Sequence, residues 1–194
     1  MDQNLDKSEL SDEQLVQSTL GNQENFLFLM KRYEVKLLRY IKRISNFSHE
    51  ESEDILQEAF IKTYRNLNNF DKDLKFSSWI YRIVRNEVIG HYRKAKVRPQ
   101  NITWDTEGII LNNIASDFDI HKDIELKYLN KNLNKVLSKM DKKYSEVLVL
   151  KYWEEKDYKE ISDILKKPMG TVATLLSRAK KQFGEEFKKQ DIKL

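Results

Sequence analysis

Between Phe26 and Ser45 the apolar residues Phe26, Leu29, Met30, Tyr33, Leu37, Leu38, Ile41 and Ile44 recur at spacings of three and four. That rhythm is the mark of an amphipathic α-helix, which must bury one stripe against partners. The pattern repeats from Ser11 to Gly21, with Leu15, Val16 and Leu20 on one face and a capping box in Ser11 and Gln14. It repeats again from Ser52 to Leu67, with Ile55, Ala59 and Phe60, and from Ser77 or Ser78 to about Lys96. The 194 residues contain 5 Gly and 2 Pro, too few for the turns of a sandwich or barrel. An all-α fold is expected.

The character changes at VRPQNITWDTEGIILNNIASDFD, which has amides and acids but no sustained helical period, with Pro99 as its first break. Helical spacing resumes near Ile124 with Leu126, Leu129, Leu133, Val136, Leu137 and Met140, followed by Tyr144–Trp153, Tyr158–Leu165 and Pro168 to about Phe187. The expectation is two small helical bundles, residues 1–96 and 123–190, joined by a flexible linker at 97–122.

Several classes fall away. With no cysteine there is no disulfide, thiolate metal site or Cys nucleophile. His49, His91 and His121 are scattered, with no metal-ligand spacing and no nearby nucleophile. No glycine-rich phosphate loop exists. Carboxylate pairs such as Glu50 and Glu51 fit solvated charges at a helix start. An enzyme is disfavoured, and no cofactor or metal is expected. The start, MDQNLDKSELSDEQ, is too polar for a signal peptide, and no apolar run could span a bilayer. The expected location is cytoplasmic, without membrane insertion. Charge is uneven: Lys75 to Arg98 carries seven Lys/Arg against one acid, Glu87. Such stripes suit a polyanion, and they equally suit a solvated helix face.

KFSSWIYRIVRN, Lys75 to Asn86, mixes rings and cations. On a helical wheel Trp79, Arg82, Asn86 and Arg93 fall within an arc of about 60°. Ile80, Ile83, Val84 and Val88 lie elsewhere, as a core face. A ring beside guanidinium groups suits unstacked nucleic acid, where base stacking is worth about 1–3 kcal/mol. The same residues also fit a Trp that caps the bundle with arginines in water. Glu87 and His91 fall on the core side without explanation.

YKEISDILKKPMGTVATLLSRAKK, Tyr158 to Lys181, has the order of a helix-turn-helix. Ile161, Ile164 and Leu165 face inward on the first helix, Lys166–Lys167 make a turn, and Pro168 suits the first turn of a second. Val172, Leu175, Leu176 and Ala179 give that helix its apolar face, while Thr171, Thr174, Ser177, Arg178, Lys180 and Lys181 offer donors. In this motif the second helix enters the major groove. Many αα-hairpins share the pattern, so DNA binding is the stronger of two readings.

Taken together, DILQEAF, the aromatic-basic helix and PMGTV…RAK, in this order and at this separation, resemble the extracytoplasmic-function (ECF) sigma factors of RNA polymerase. The resemblance covers nearly the whole chain. It implies a region 2-like bundle, a linker and a region 4-like helix-turn-helix bundle. It implies that Asp54, Leu56, Gln57, Glu58 and Phe60 contact the β′ clamp helices of core RNA polymerase. Asn69, Phe70, Asp71 and Lys72 would hold a base flipped from the promoter −10 element, bordered by Lys75, Ser78, Trp79, Arg82 and Asn86. Thr171, Thr174, Ser177, Arg178 and Lys181 would face the −35 element. The partners implied are core polymerase, promoter DNA and an anti-sigma factor, which often covers these surfaces. The linker would thread the RNA exit path.

Some positions depart from the family. Ala173 and Leu175 stand where a basic or polar pair is usual, and Gly90 where an acid is frequent. Lys166 replaces a common turn Gly; if that site needs positive φ, it costs on the order of 1 kcal/mol. The function implied is a transcription initiation factor, without bond chemistry. The rival is a helix-turn-helix regulator acting without polymerase, which has no need of DILQEAF or the aromatic-basic helix.

Overall fold

The computed structural model describes residues 9–97 and 124–189, with side chains for 9–95 and 132–189. All of the expected linker except its first residue lies outside the described residues. Among the described residues every regular element is helical. The N-terminal bundle contains α1 (Asp12–Gly21), α2 (Phe26–Ile44), α3 (His49–Arg65) and α4 (Phe76–Val97), with short 3₁₀ turns at Gln23–Asn25 and Leu67–Asn69. The C-terminal bundle contains α5 (Ile124–Lys139), α6 (Lys142–Leu148), a π-helical segment (Val149–Trp153), α7 (Tyr158–Leu165) and α8 (Met169–Lys189).

Local chemistry sets the helix starts. Ser11 accepts from the Gln14 N–H at 3.2 Å and Gln14 Oε1 accepts from the Ser11 N–H at 2.8 Å. The same reciprocal box, built from Ser48 and Glu51, begins α3 three residues before the expected Ser52. Asp157 and Glu160 close a third at α7. Each satisfies two backbone donors that a helix end leaves open, worth about 1 kcal/mol.

The α2 stripe is buried as its spacing requires: Leu29, Leu37, Tyr40 and Ile41 are inaccessible, and Phe26 and Tyr33 nearly so. Burying each such aliphatic side chain contributes about 1.5–3 kcal/mol. α2, α3 and α4 pack on one another, while α5, α6 and α7 pack on α8. The π-helical segment falls inside the run expected as one helix, Tyr144–Trp153; there the Glu154 N–H reaches the Val149 carbonyl, at 3.0 Å.

The two bundles also touch. α4 lies along α7, α2 meets α6 and the π-helical segment, and buried side chains from both halves form one continuous core.

Candidate functional site

The first turn of α4 departs from the helical-wheel reading. Trp79 is 7% exposed, packed between Phe70 at 5.3 Å and Phe76 at 5.9 Å between ring centroids. Phe70 in turn sits edge-on to Phe76 at 5.7 Å. Three expected −10 residues, Phe70, Ser78 and Trp79, are therefore core residues in this structure, and the outward ring expected at Trp79 is corrected. The stripe itself is sound, since Asn86 and Arg93 on the same side are exposed and Arg82 is half-buried. What differs is the loop before the helix. It folds back and lays Phe70 over the first turn, a tertiary contact outside the reach of a wheel.

Asn69, Asp71, Lys72 and Lys75 remain exposed around that cluster. Asp71 Oδ1 accepts from the Asp73 N–H at 3.0 Å, which shapes the loop. Glu87 and His91 also find their explanation. Glu87 pairs with Lys62 of α3 at 2.6 Å, and the His91 ring meets Phe47 edge-on at 4.9 Å.

On α3 the expected polymerase-facing set divides. Asp54, Gln57 and Glu58 are exposed, whereas Leu56 and Phe60 are buried, Phe60 edge-on to Phe26 at 6.3 Å. The correction follows from helical spacing: Ser52, Ile55, Leu56, Ala59, Phe60 and Thr63 share the inner stripe. The outer stripe continues instead through Ile61 and Tyr64, both large, apolar and exposed. These two were missed. Their signal was the i+3 and i+4 continuation of Asp54, Gln57 and Glu58.

In the second bundle α7, a turn and α8 form the helix-turn-helix. Lys166 closes α7 in the left-handed region, φ 53° and ψ 48°, as expected for a residue in a glycine-type position. The Ser162 hydroxyl donates to the Lys167 carbonyl at 2.6 Å and fixes the turn. Thr171, Thr174, Ser177, Arg178 and Lys181 all lie exposed on α8, while Val172, Leu176 and Ala179 are buried. Leu175 is half-buried against the core, so its apolar character serves packing.

A third cluster lies between the bundles, and the sequence reading missed it. Glu146 of α6 takes a bidentate contact from Arg85 of α4, Nε to Oε1 at 2.7 Å and Nη2 to Oε2 at 3.2 Å, with the Tyr40 hydroxyl at 3.4 Å. Glu154, its side chain 6% exposed, accepts from the Tyr81 hydroxyl at 2.6 Å and from Arg43 Nη1 at 3.1 Å. Glu160 accepts from the Ser77 hydroxyl at 3.3 Å and lies 3.6 Å from Lys75 Nζ, which also faces Asp157 at 3.6 Å.

The environment tunes these groups. Burial pushes the Tyr40 and Tyr81 phenols well above their ordinary value, and the neighbouring carboxylates, Glu146 and Glu154, push the same way. Burial alone would lower Arg85, but the hydrogen bond and charge of Glu146 hold it above its usual value. Lys156 is lowered by burial, against the pull of Glu160 and Glu154. Beside this cluster a cavity of about 330 Å³ is lined by Tyr33, Lys36, Arg39, Trp153, Glu155 and Lys156, among others. Among the described residues no group of three or more His, Cys, Asp or Glu could hold a metal, and no helix is long and apolar enough to cross a membrane.

Residues 29–98 match Sigma-70 region 2, and residues 131–183 match Sigma-70, region 4. The ECF RNA polymerase sigma factor SigW of Bacillus subtilis is 35% identical over 175 residues, 87% of this chain and 91% of its own. The RNA polymerase sigma-H factor of Pseudomonas aeruginosa is 30% identical over 176 residues, 87% of this chain and 90% of its own. CnrH, solved with the cytosolic domain of CnrY, superposes with a TM-score of 0.67 at 21% identity, over 93% of this chain and 99% of its own. The sigma factor RpoE of Bartonella quintana, solved with the anti-sigma factor NepR, gives a TM-score of 0.63 at 18% identity, over 85% and 98%. Those two likenesses speak to the fold; the sequence relatives and the two regions speak to descent. The chain belongs to the ECF sigma factors of RNA polymerase.

Proposed function

We propose that this sigma factor docks on the polymerase β′ clamp through the outer stripe of α3, reads a −35 element with α8, and favours opening of the −10 element with the loop Asn69–Lys72 and the exposed side of α4. The observation that carries this reading is the exposure, in one chain, of Asp54, Gln57 and Glu58 on α3 and of Thr171, Thr174, Ser177, Arg178 and Lys181 on α8. Acids on α3 suit an arginine-rich partner. Hydroxyls and cations on a helix-turn-helix second helix suit base edges and phosphates.

The role of α4 shifts with the burial of Trp79. Its aromatic cluster acts as a rigid floor that holds the loop, while Lys75, Arg82 and Asn86 supply contacts to the freed strand. Each opened stacking step costs about 1.4 kcal/mol, and capture of an unstacked base by a pocket returns an amount of that order. Two short elements read by one chain gain further from effective concentration. The chain acts by binding throughout, and an anti-sigma partner covering these same faces would hold it inactive.

Run-off transcription with purified core polymerase and a promoter library tests the reading. The expected result is initiation from a defined promoter subset, lost in a Glu58→Lys variant that circular dichroism should show to be folded. Arg178→Ala should weaken promoters roughly tenfold, a change that matches about 1.4 kcal/mol. Tight binding to closed duplex with no polymerase-dependent initiation would overturn it.

A further inference from the structure

The cavity of about 330 Å³ is basic, and the docking and promoter surfaces make no use of it. α2 lines it with Tyr33, Lys36, Arg39 and Arg43, whose spacings of three and four put them on one side of the helix. The opposite wall is Trp153, Glu154, Glu155 and Lys156. Four cations thus line it with two carboxylates, and Glu154 is already engaged by Arg43 and the Tyr81 hydroxyl. The backbone of that second wall is irregular at three successive points. The π-helical segment ends at Trp153, Glu155 takes the left-handed region at φ 52°, and the Lys156 N–H turns back to the Leu150 carbonyl at 2.9 Å. Such a φ costs a non-glycine residue free energy, and both π-helical turns and backbone outliers gather at functional sites. Here they bring Trp153 and Lys156 to one cavity. The Lys156 side chain is only 13% exposed. Its ammonium lies 4.7 Å from the Tyr81 ring centroid and 3.7 Å from Glu160, a carboxylate it shares with Lys75 and Ser77. Burial lowers Lys156, and Glu160 and Glu154 do not restore it to its ordinary value. A desolvated ammonium in that position is stabilised by a further anion.

We propose that this cavity binds a nucleoside phosphate, with Lys156 and Lys36 holding the phosphates, Arg39 beside them, and Trp153 meeting the base. The site lies apart from the outer stripe of α3, the loop Asn69–Lys72 and the exposed row of α8, so it goes beyond the function proposed above. An ammonium meets phosphate oxygens as a point charge and a guanidinium meets them as a fork. Trp153 is half-buried and so keeps part of its indole open to a stacked ring. The sequence has no glycine-rich loop to cradle phosphates with backbone N–H groups, which leaves that task to side-chain cations. Cavities for small ligands span about 300–1,000 Å³, and this one sits near the lower end, which favours one nucleotide over a strand. Glu155, exposed on the same wall, repels phosphate and limits the affinity.

Titration calorimetry of the full chain with ADP, without polymerase or DNA, tests the site, and its outcome is separate from that of run-off transcription. ADP should bind with a submillimolar Kd. Inorganic pyrophosphate should bind about tenfold more weakly for want of the base, and adenosine more weakly still for want of the phosphates. Lys36→Gln, on the exposed side of α2, should weaken ADP binding about tenfold, and Lys156→Gln at least as much. Glu155→Gln should tighten it about threefold, since a like charge is removed. If Lys156→Gln loses its cooperative melt, Lys36→Gln and Glu155→Gln, both at exposed positions, are read by the same titration. No binding of ADP at millimolar concentration, or an affinity indifferent to Lys36→Gln or to Glu155→Gln, would overturn the site. Pyrophosphate bound as tightly as ADP would overturn the contact with Trp153, and with it the nucleoside.

Discussion

At Trp79 a single side chain decides between a ring offered to DNA and a ring that builds the protein. Its stacking on Phe70 and Phe76 assigns it to the second role. Truncation to Ala should therefore cost about 3–5 kcal/mol in urea unfolding, the range for a large buried aromatic. Arg82→Ala, half-exposed on the same helix, should move stability by about 0.5 kcal/mol or less. Its effect should fall on promoter opening. A Trp79→Ala chain of parental stability that failed in promoter opening would return the ring to the DNA. The wheel had the right stripe and the wrong occupant for its first turn. Side-chain angle around a helix is local, whereas the cover supplied by Phe70 depends on how the preceding loop returns. Leu56 and Phe60 follow the same logic on α3: the motif was legible, but which of its residues faces outward was set by the inner stripe it shares with Ile55 and Ala59.

At the scale of elements the sequence was most informative where the determinants are contiguous. The boundaries of α1, α2 and α7 lie within a residue of those expected from spacing and caps. α3 begins three residues before the start that apolar spacing predicts, at the Ser48–Glu51 box, which is as local as the box at Ser11. The π-helical segment left no such trace, since a shift in hydrogen-bond partner alters the apolar rhythm by less than a turn. The turn between α7 and α8 gives a direct check. Lys166 holds φ 53°, a conformation that costs a side chain on the order of 1 kcal/mol and costs glycine little. Lys166→Gly should raise unfolding free energy by about 0.5–1 kcal/mol, read as a higher Tm in a thermal melt, while the exposed row on α8 keeps its place. A lower Tm would mean that the lysine side chain contributes more than its backbone costs.

For the whole molecule, the decisive feature is that the two bundles share a polar junction as well as a core. No pattern in the sequence announced it, because Glu146 of α6, Glu154 just after the π-helical segment and Glu160 of α7 meet cations from α2, from α4 and from Lys75 just before it. Its chemistry has a pH signature. Tyr40, Tyr81 and Tyr33 are each held neutral beyond their ordinary range, by burial first and by adjacent carboxylates second, Tyr33 through its hydrogen bond to Asp12. The Tyr81 hydroxyl faces Glu154 and Arg43, with the Lys156 ammonium 4.7 Å from its ring centroid, while Tyr40 faces Glu146 and Arg85. An unfolded tyrosine loses its proton near pH ~10, and in the folded chain the proton stays on. The folded state therefore binds more protons above that pH, and the stability these phenols contribute is complete below about 10 and lost as pH rises further. Lys156 acts in the opposite sense, since its lowered value means that raising pH relieves a buried charge. One such group offsets at most one of the three phenols. Urea unfolding across pH ~9 to ~11 should show stability falling, with a slope of about 1.4 kcal/mol per pH unit for each phenol that titrates. The Tyr40→Phe, Tyr81→Phe double variant should be less stable at neutral pH, having lost both hydroxyls, yet flatter above pH ~10. A slope equal to that of the parent would mean that the junction tyrosines titrate freely and that the bundles are apart in solution.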